Sequence, residues 1–268
     1  MLRRINSQFT GEFDISGVMT VHNEENFLPF SLYFLQKAAI NELIVVLDNC
    51  TDGSEEMINW FKRNSTIKVY IIKVTKHNWK NPTAELAQLA FSKANGNIIY
   101  YLPADNIYDP RIFLINWTGL DMVGFFHNGY DIFGELNEKL RANWLNFYSI
   151  MLRYVYPKLR RKPLLVGNIF AFKKILLDDV QIFDEPSWDT SFLRIAFKKG
   201  YRYKLFTGFR NYHLRPVSHL MKSGREQFNL GYPLWKILGE SILYFTSQIL
   251  KGYLQESKRK RMNLYVQT

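Results

Sequence analysis

Short apolar runs alternate with segments of helical spacing through the first hundred residues. SGVMTV (16–21) predicts a buried strand. Residues 26–39 then place Phe27, Phe30, Phe34, Leu35 and Ala38 at helical spacing. ELIVVL (42–47) predicts a second strand. Asp52 follows as a candidate N-cap with Glu55 three residues on, opening a helix that carries Met57, Ile58 and Phe61. IKVYIIKV (67–74) predicts a third strand. Asn81-Pro82 has the form of an N-cap followed by proline at the first helical position, and that helix runs to about Ala94 before Asn95-Gly96. NIIYYL (97–102) predicts a fourth strand. This order means βαβ units, hence an α/β fold with a Rossmann-like, mostly parallel sheet and helices on both faces.

The alternation weakens after residue 110. Residues 137–161 predict a long amphipathic helix, apolar at Leu140, Trp144, Phe147, Ile150, Met151 and Tyr154, ending in the basic cluster Lys158, Arg160, Arg161 and Lys162. LLVGNIFAF (164–172) predicts a strand, and 189–199 a helix closed at Gly200. Residues 233–256 form a last amphipathic stretch ahead of Lys258-Arg259-Lys260-Arg261. The expected organisation is a domain over 1–216, with halves at 14–106 and 107–216, and a helical C-terminal extension over 217–268 with a basic tail.

Composition narrows the classes. The chain has 268 residues, 47% of them hydrophobic, which excludes a disordered chain. Cys50 is the single cysteine, which excludes a disulfide framework and a Cys-based zinc site. A net charge of +11 predicts an anionic partner without choosing among nucleic acid, nucleotide phosphates and an acidic membrane face. The opening MLRRINSQFTGEF has no apolar core region, so no signal peptide is expected, and no uncharged apolar run is long enough to span a bilayer. A cytoplasmic location is the expectation that follows.

In open α/β sheets ligands bind beyond the carboxyl ends of the strands. The first predicted strand ends in Val21-His22-Asn23-Glu24-Glu25, the second in Asp48-Asn49-Cys50-Thr51-Asp52-Gly53-Ser54, and the fourth in Pro103-Ala104-Asp105-Asn106. Three βα turns therefore place carboxylates on one sheet edge. Asp52 and Ser54 are suited to capping and turn formation, whereas Asp48 and Asp105 directly follow strongly apolar strands. The dinucleotide, P-loop, zincin and nucleophile-elbow motifs are all absent from the sequence. A carboxylate-lined edge without a glycine-rich cradle holds phosphate only through a bridging divalent cation.

The segments VMTVHNEENFLPFSLYFL and ELIVVLDNCTDGSEE resemble the opening of glycosyltransferase family 2, the inverting enzymes of the GT-A fold. ANGNIIYYLPADN resembles that family's metal-motif block, and FDEPSWDTSFLRIAFKKGYRYKL its later catalytic block. The resemblance covers about residues 14–215. It implies a nucleotide-sugar-binding half over 14–106, with Val21, Asn23, Glu24, Asp48, Asn81, Ala104, Asp105 and Arg215 around the donor, Glu24 and Asp48 lying at the base and ribose. It implies that Asp105 and His213 hold Mg2+ or Mn2+ on the diphosphate and that Asp189 is the general base. Two positions depart from the family pattern: the first Asp of the metal motif falls on Pro103, leaving Asn106 as a weaker oxygen ligand, and the Glu before the base falls on Trp188.

Glycosyl transfer requires one group on the leaving diphosphate and a separate carboxylate to take the acceptor proton, and Asp105 and Asp189 meet that requirement. Asp189 is equally suited to N-cap its helix. Arg202, Lys204, Arg210 and Arg215 are either a phosphate clamp or a solvated basic face. Trp79, with His77 and Lys80, is either a base-stacking wall or simple packing. The expected acceptor is a hydroxyl or phosphate on a glycan or lipid-linked carrier. Residues 234–250 either lie on an anionic membrane surface or pack on their own domain or a second subunit, as in a homodimer. A nucleotidyltransferase of related architecture and a degenerate nucleotide-sugar-binding protein are the alternatives. Nucleic acid is not an expected partner, because the aromatic residues sit in apolar-periodic positions and are not interleaved with Arg and Lys.

Overall fold

The computed structural model describes residues 14–130, 168–185 and 187–214, with scattered positions between 234 and 258. The chain divides into two units, Met1–Asn128 with Arg161–Leu214, and Gly129–Arg160 with Arg215–Thr268. The expected helix over 137–161, the start of the strand over 164–172, the site residue Arg215 and nearly all of the C-terminal amphipathic stretch lie outside the described residues.

Among the described residues eight strands form one sheet: β1 (Ile15–Val21), β2 (Glu42–Asp48), β3 (Lys68–Val74), β4 (Ile98–Tyr101), β5 (Asn106–Ile107), β6 (Met122–Tyr130), β7 (Ile169–Lys173) and β8 (Tyr203–His213). Their order is β3-β2-β1-β4-β7-β6-β8-β5. The pairs β1–β2, β2–β3 and β1–β4 are parallel, and β4–β7, β6–β7 and β5–β8 are antiparallel. Among the described residues this unit has the helices α1 (Leu28–Leu35), α2 (Ser54–Asn64), α3 (Pro82–Lys93), α4 (Leu176–Asp179) and α5 (Trp188–Lys198), with a 3-10 turn at Pro110–Leu114.

Period-two alternation divides the core. Leu43, Val45 and Leu47 of β2 enter one layer with Leu28, Leu32 and Leu35 of α1 and Ile58 and Phe61 of α2. Ile44 and Val46 enter the other with Ala87, Ala90 and Phe91 of α3 and Phe192, Leu193 and Ala196 of α5. Both faces are covered, so β2 is buried at all seven positions.

Three local expectations are corrected. The first helix is shorter than 26–39, and its inward face is Leu28, Ser31, Leu32 and Leu35, while Phe30 is exposed. Leu28 is the first helical residue and Pro29 the second, in the first turn, where proline's missing N–H costs no intrahelical bond. The residue in the N-cap place of α2 is Gly53. The Asp52 carboxylate accepts from Ser54 N and from Glu25 N, tying two loops together. The N-cap of α5 is Ser187, which leaves Asp189 in the first turn.

The amino-terminal edge of the sheet is closed by a buried polar knot. Glu42 Oε1 accepts from Ser16 Oγ and from Asn95 N, both at 2.6 Å, and Oε2 accepts from Asn95 Nδ2 at 3.0 Å. Ser16 Oγ in turn accepts from Gly96 N at 2.8 Å.

Candidate active site

The carboxyl ends of β2, β1 and β4 lie side by side, because these three strands are adjacent and parallel. Neighbouring strands are about 4.8 Å apart, so the β2 and β4 ends are separated by about 10 Å. Left-handed asparagines shape the first two turns, Asn23 at φ 53° and Asn49 at φ 45°. Asparagine tolerates this conformation better than other non-glycine residues. The Asn23 Oδ1 accepts from Thr51 N at 2.8 Å and joins the two loops. Val21 is buried at the end of β1. Glu24 is 9% exposed, its backbone N–H donating to Ser54 Oγ at 2.7 Å.

Asp48 ends β2 and is 8% exposed. Its Oδ1 lies 2.7 Å from His77 Nε2, and its carbonyl oxygen 2.8 Å from His22 Nδ1. His77 was legible in the sequence only as a neighbour of Trp79. Trp79 itself is partly buried and packs against the second core layer. Asn81 is the N-cap of α3, as expected from Asn81-Pro82. Its side chain is engaged by Thr83 Oγ1 and by the Glu185 carbonyl, and its backbone N–H donates to Asp184 Oδ1.

The β4 end carries the second group. The Ala104 carbonyl accepts from the buried Ser31 hydroxyl, which holds this turn against α1. Asp105 precedes β5, whose Asn106 pairs with His213 of β8. That register brings together residues far apart in sequence: His213 Nε2 is 3.3 Å from Asp105 Oδ2, and Leu214 N donates to the Asp105 carbonyl at 2.8 Å. Asn106 Nδ2 donates to Asp105 Oδ1 at 3.2 Å, and its Oδ1 accepts from Asn168 Nδ2 at 3.3 Å.

Two buried tyrosines link the carboxylates. Burial raises the Tyr101 hydroxyl above the phenol range, and the negative charges of Asp189 and Asp105 raise it further. Its hydroxyl lies 3.4 Å from Thr20 Oγ1. Burial likewise raises Tyr108, with Asp105, Tyr101 and Glu24 adding to the effect. Glu24, Asp105 and Asp189 therefore share one electrostatic neighbourhood. The sequence signal for it was the pair Tyr100-Tyr101 at the end of an apolar strand, which periodicity alone assigns to the core. Asp189 Oδ1 accepts from Thr190 N at 2.6 Å.

Asp105 and His213 fit a divalent cation. Two ligands about 2.1 Å from one ion at a right angle stand about 3 Å apart, close to the observed separation. A carboxylate with an imidazole suits Mn2+, and Mg2+ takes few protein ligands plus phosphate oxygens. Among the described residues no group of three His, Cys, Asp or Glu side chains gathers at one point. Arg202 is not part of a phosphate clamp. Its Nε is 3.0 Å and its Nη2 3.2 Å from the Asp121 carboxylate, which is held at about 2 chiefly by that guanidinium. Lys204 Nζ lies 4.7 Å from the Phe206 ring centroid. Trp188 is 4% exposed among Phe91, Tyr101 and Phe170, so this departure from the family pattern serves the core.

A family profile described as glycosyl transferase family 2 matches residues 16–176, more than half of the chain. The chain belongs to glycosyl transferase family 2. It is a glycosyltransferase of α/β architecture, and the solved structures it resembles are GT-A enzymes. A mannosyltransferase from Pyrobaculum calidifontis, solved with GDP-Man and Mn2+, aligns at 14% identity and a TM-score of 0.63, over 96% of this chain and 77% of that one. Glucosyl-3-phosphoglycerate synthase from Mycobacterium tuberculosis, solved with Mg2+ and UDP, aligns at 15% identity and a TM-score of 0.57, over 87% and 84%. S. aureus TarS 1–349 aligns at 14% identity and a TM-score of 0.57, over 92% and 73%. No curated protein matches the chain. Among the described residues no helix is long and apolar enough to cross a membrane.

Proposed function

We propose that this family 2 enzyme transfers a sugar from a nucleoside-diphosphate donor to an acceptor hydroxyl, with inversion and with a divalent cation. Residues 14–106 hold the donor, and 107–216 supply the base and the acceptor side. Glu24 and Asp48 face the base and ribose, with Val21, Asn23, Asn81 and Ala104 shaping the turns around them. Asp105 and His213 hold Mg2+ or Mn2+. When bound, the cation supplies positive charge to the diphosphate. Asp189 accepts the acceptor hydroxyl proton as the oxygen attacks the anomeric carbon from the face opposite the diphosphate, and the bond from that carbon to the diphosphate oxygen breaks. The nucleoside diphosphate leaves, and the new glycosidic bond has the opposite configuration.

The observation that carries this reading is the convergence of Asp105 with His213 at 3.3 Å on the strand edge whose Tyr101 also feels Asp189. A thermal-shift and turnover panel of UDP- and GDP-sugars, with Mn2+ or with chelator, tests it. A nucleotide present at a hundredfold its dissociation constant stabilises by about 2.7 kcal/mol. Asp105→Ala and His213→Ala should lose the Mn2+-dependent part of that stabilisation. Equal turnover in chelator and in Mn2+ refutes the metal, released pyrophosphate would instead mark a nucleotidyltransferase, and a product of retained configuration refutes inversion.

A further inference from the structure

The turn that carries Asp105 is held by a residue to which the family resemblance gives no role. Among the described residues β5 stands at one end of the sheet order, beside β8. On the β8 side Leu214 N donates to the Asp105 carbonyl at 2.8 Å. That bond marks Asn106 and His213 as a non-hydrogen-bonded antiparallel pair, so the Asn106 carbonyl is directed away from β8. Ser31 of α1 meets it there. Its Oγ lies 2.7 Å from the Asn106 carbonyl oxygen and is also within hydrogen-bond reach of the Ala104 carbonyl. A hydroxyl carries one proton, so Ser31 shares it between the two carbonyls that flank Asp105. Ser31 and Asn106 are wholly buried and Ala104 is 3% exposed, so water does not substitute for the hydroxyl. One residue earlier, the Pro103 carbonyl accepts from the Tyr108 hydroxyl.

We propose that Ser31 is a positioning residue for the cation site: its hydroxyl fixes the peptide in front of Asp105, and with it the carboxylate that meets His213. This rests on the reading of Asp105 as a metal ligand. The peptide plane before Asp105 contains the Ala104 carbonyl and sets φ, and the plane after it contains the Asp105 carbonyl and sets ψ. Ser31 holds the first plane and Leu214 N the second. Two fixed planes fix the direction in which the side chain leaves the backbone, and hence the 3.3 Å approach of Oδ2 to His213 Nε2. Groups that bind a cation must be held within about 0.5 Å of their working geometry. The loops at the β1 and β2 ends are tied to each other through Asn23, Asp52 and Ser54, without Ser31. Removing the Ser31 hydroxyl therefore weakens the cation-dependent part of nucleotide binding and spares the rest.

The test is isothermal titration of the full chain with UDP and with GDP, each in MnCl2 and in EDTA, for the wild type, Ser31→Ala, Ser31→Thr and Ser16→Ala. Ser16 is a second wholly buried serine, whose hydroxyl donates to Glu42 at the amino-terminal edge of the sheet. The readout is the ratio of the affinity in Mn2+ to that in EDTA. For the preferred nucleotide the wild-type ratio should be at least about tenfold, and Ser31→Ala should cut it at least about fivefold while the affinity in EDTA stays within about twofold. Ser31→Thr restores a hydroxyl and should recover the ratio. Ser16→Ala should lower Tm and leave the ratio unchanged, which separates positioning from lost stability. An unchanged ratio in Ser31→Ala, an equal fall in Ser16→Ala, or no recovery in Ser31→Thr overturns the proposal while the metal reading stands. Should Ser31→Ala fail to fold, Ser31→Cys decides, since a thiol of similar size is a weak donor: the same fall supports the proposal and an unchanged ratio overturns it. A wild-type ratio near one overturns the metal reading together with this one, and binding of neither nucleotide overturns the donor site as well.

Discussion

Replacing Glu42 with leucine tests the polar knot at the amino-terminal sheet edge. Glu42 is 6% exposed, and it accepts from the Ser16 hydroxyl, the Asn95 amide and the Asn95 side chain. Glu42→Leu removes three charge-assisted bonds and takes the acceptor away from the fully buried Ser16 hydroxyl. Loss of a hydrogen bond to a charged group costs about 1.5–3 kcal/mol, and such losses within one network are not additive. The expected total is about 3–5 kcal/mol, or roughly 6–20 °C in Tm for a unit of this size. Burial pushes the Glu42 pKa up, but the bonds from Ser16 and Asn95 outweigh it and hold the group below its ordinary value of 4.5. A depressed folded-state pKa contributes stability above the ordinary value, and that contribution disappears as the pH falls through the folded value. Urea denaturation at pH 7 and again below pH 4 should therefore give a wild-type-to-variant gap that narrows on acidification. Gly96→Ala strikes the same knot, since a Cβ there would lie 2.6 Å from the Asp14 carbonyl and 2.8 Å from Ser16 N. A Glu42→Leu loss under about 1 kcal/mol, or a gap that widens in acid, refutes the reasoning.

Three further outcomes are expected. Asp189→Asn should lower kcat by about 10²–10⁴-fold, with nucleotide affinity by calorimetry nearly unchanged. Trp188→Ala should destabilise by about 3–5 kcal/mol in chemical denaturation, because the indole fills a buried aromatic cluster. Asn49→Gly should leave stability within a few tenths of a kcal/mol, whereas Asn49→Val should cost about 1–2 kcal/mol at the φ 45° position, read from equilibrium unfolding.

The parallel half of the sheet was legible because each of its strands is a short apolar run closed by turn residues, and because Asn81-Pro82 marks a helix start. In the antiparallel half only β7 was, through the apolar run of LLVGNIFAF; β5, β6 and β8 were not. Along β8 exposed and half-buried positions follow one another without strict alternation, so periodicity has nothing to grip. β5 has only two residues, yet it sets the register that joins Asn106 to His213. The strand-end acids could be read from their positions after apolar runs. The pairing of His77 with Asp48 could not, since 29 residues separate them and the contact depends on how the loop after β3 folds back over β2.

Trp188 and Asp189 are consecutive, and they belong to different worlds. The indole is wedged edge-on against Tyr101, 5.1 Å between ring centroids, and the carboxylate follows on the next turn position. The angular setting of α5 is thus dictated from within the hydrocarbon interior. A change of ring size at Phe91 or Phe170 would rotate or lift the start of that helix and carry the Asp189 carboxylate with it. On the mechanism proposed above, core volume and turnover would be tied to that one coordinate.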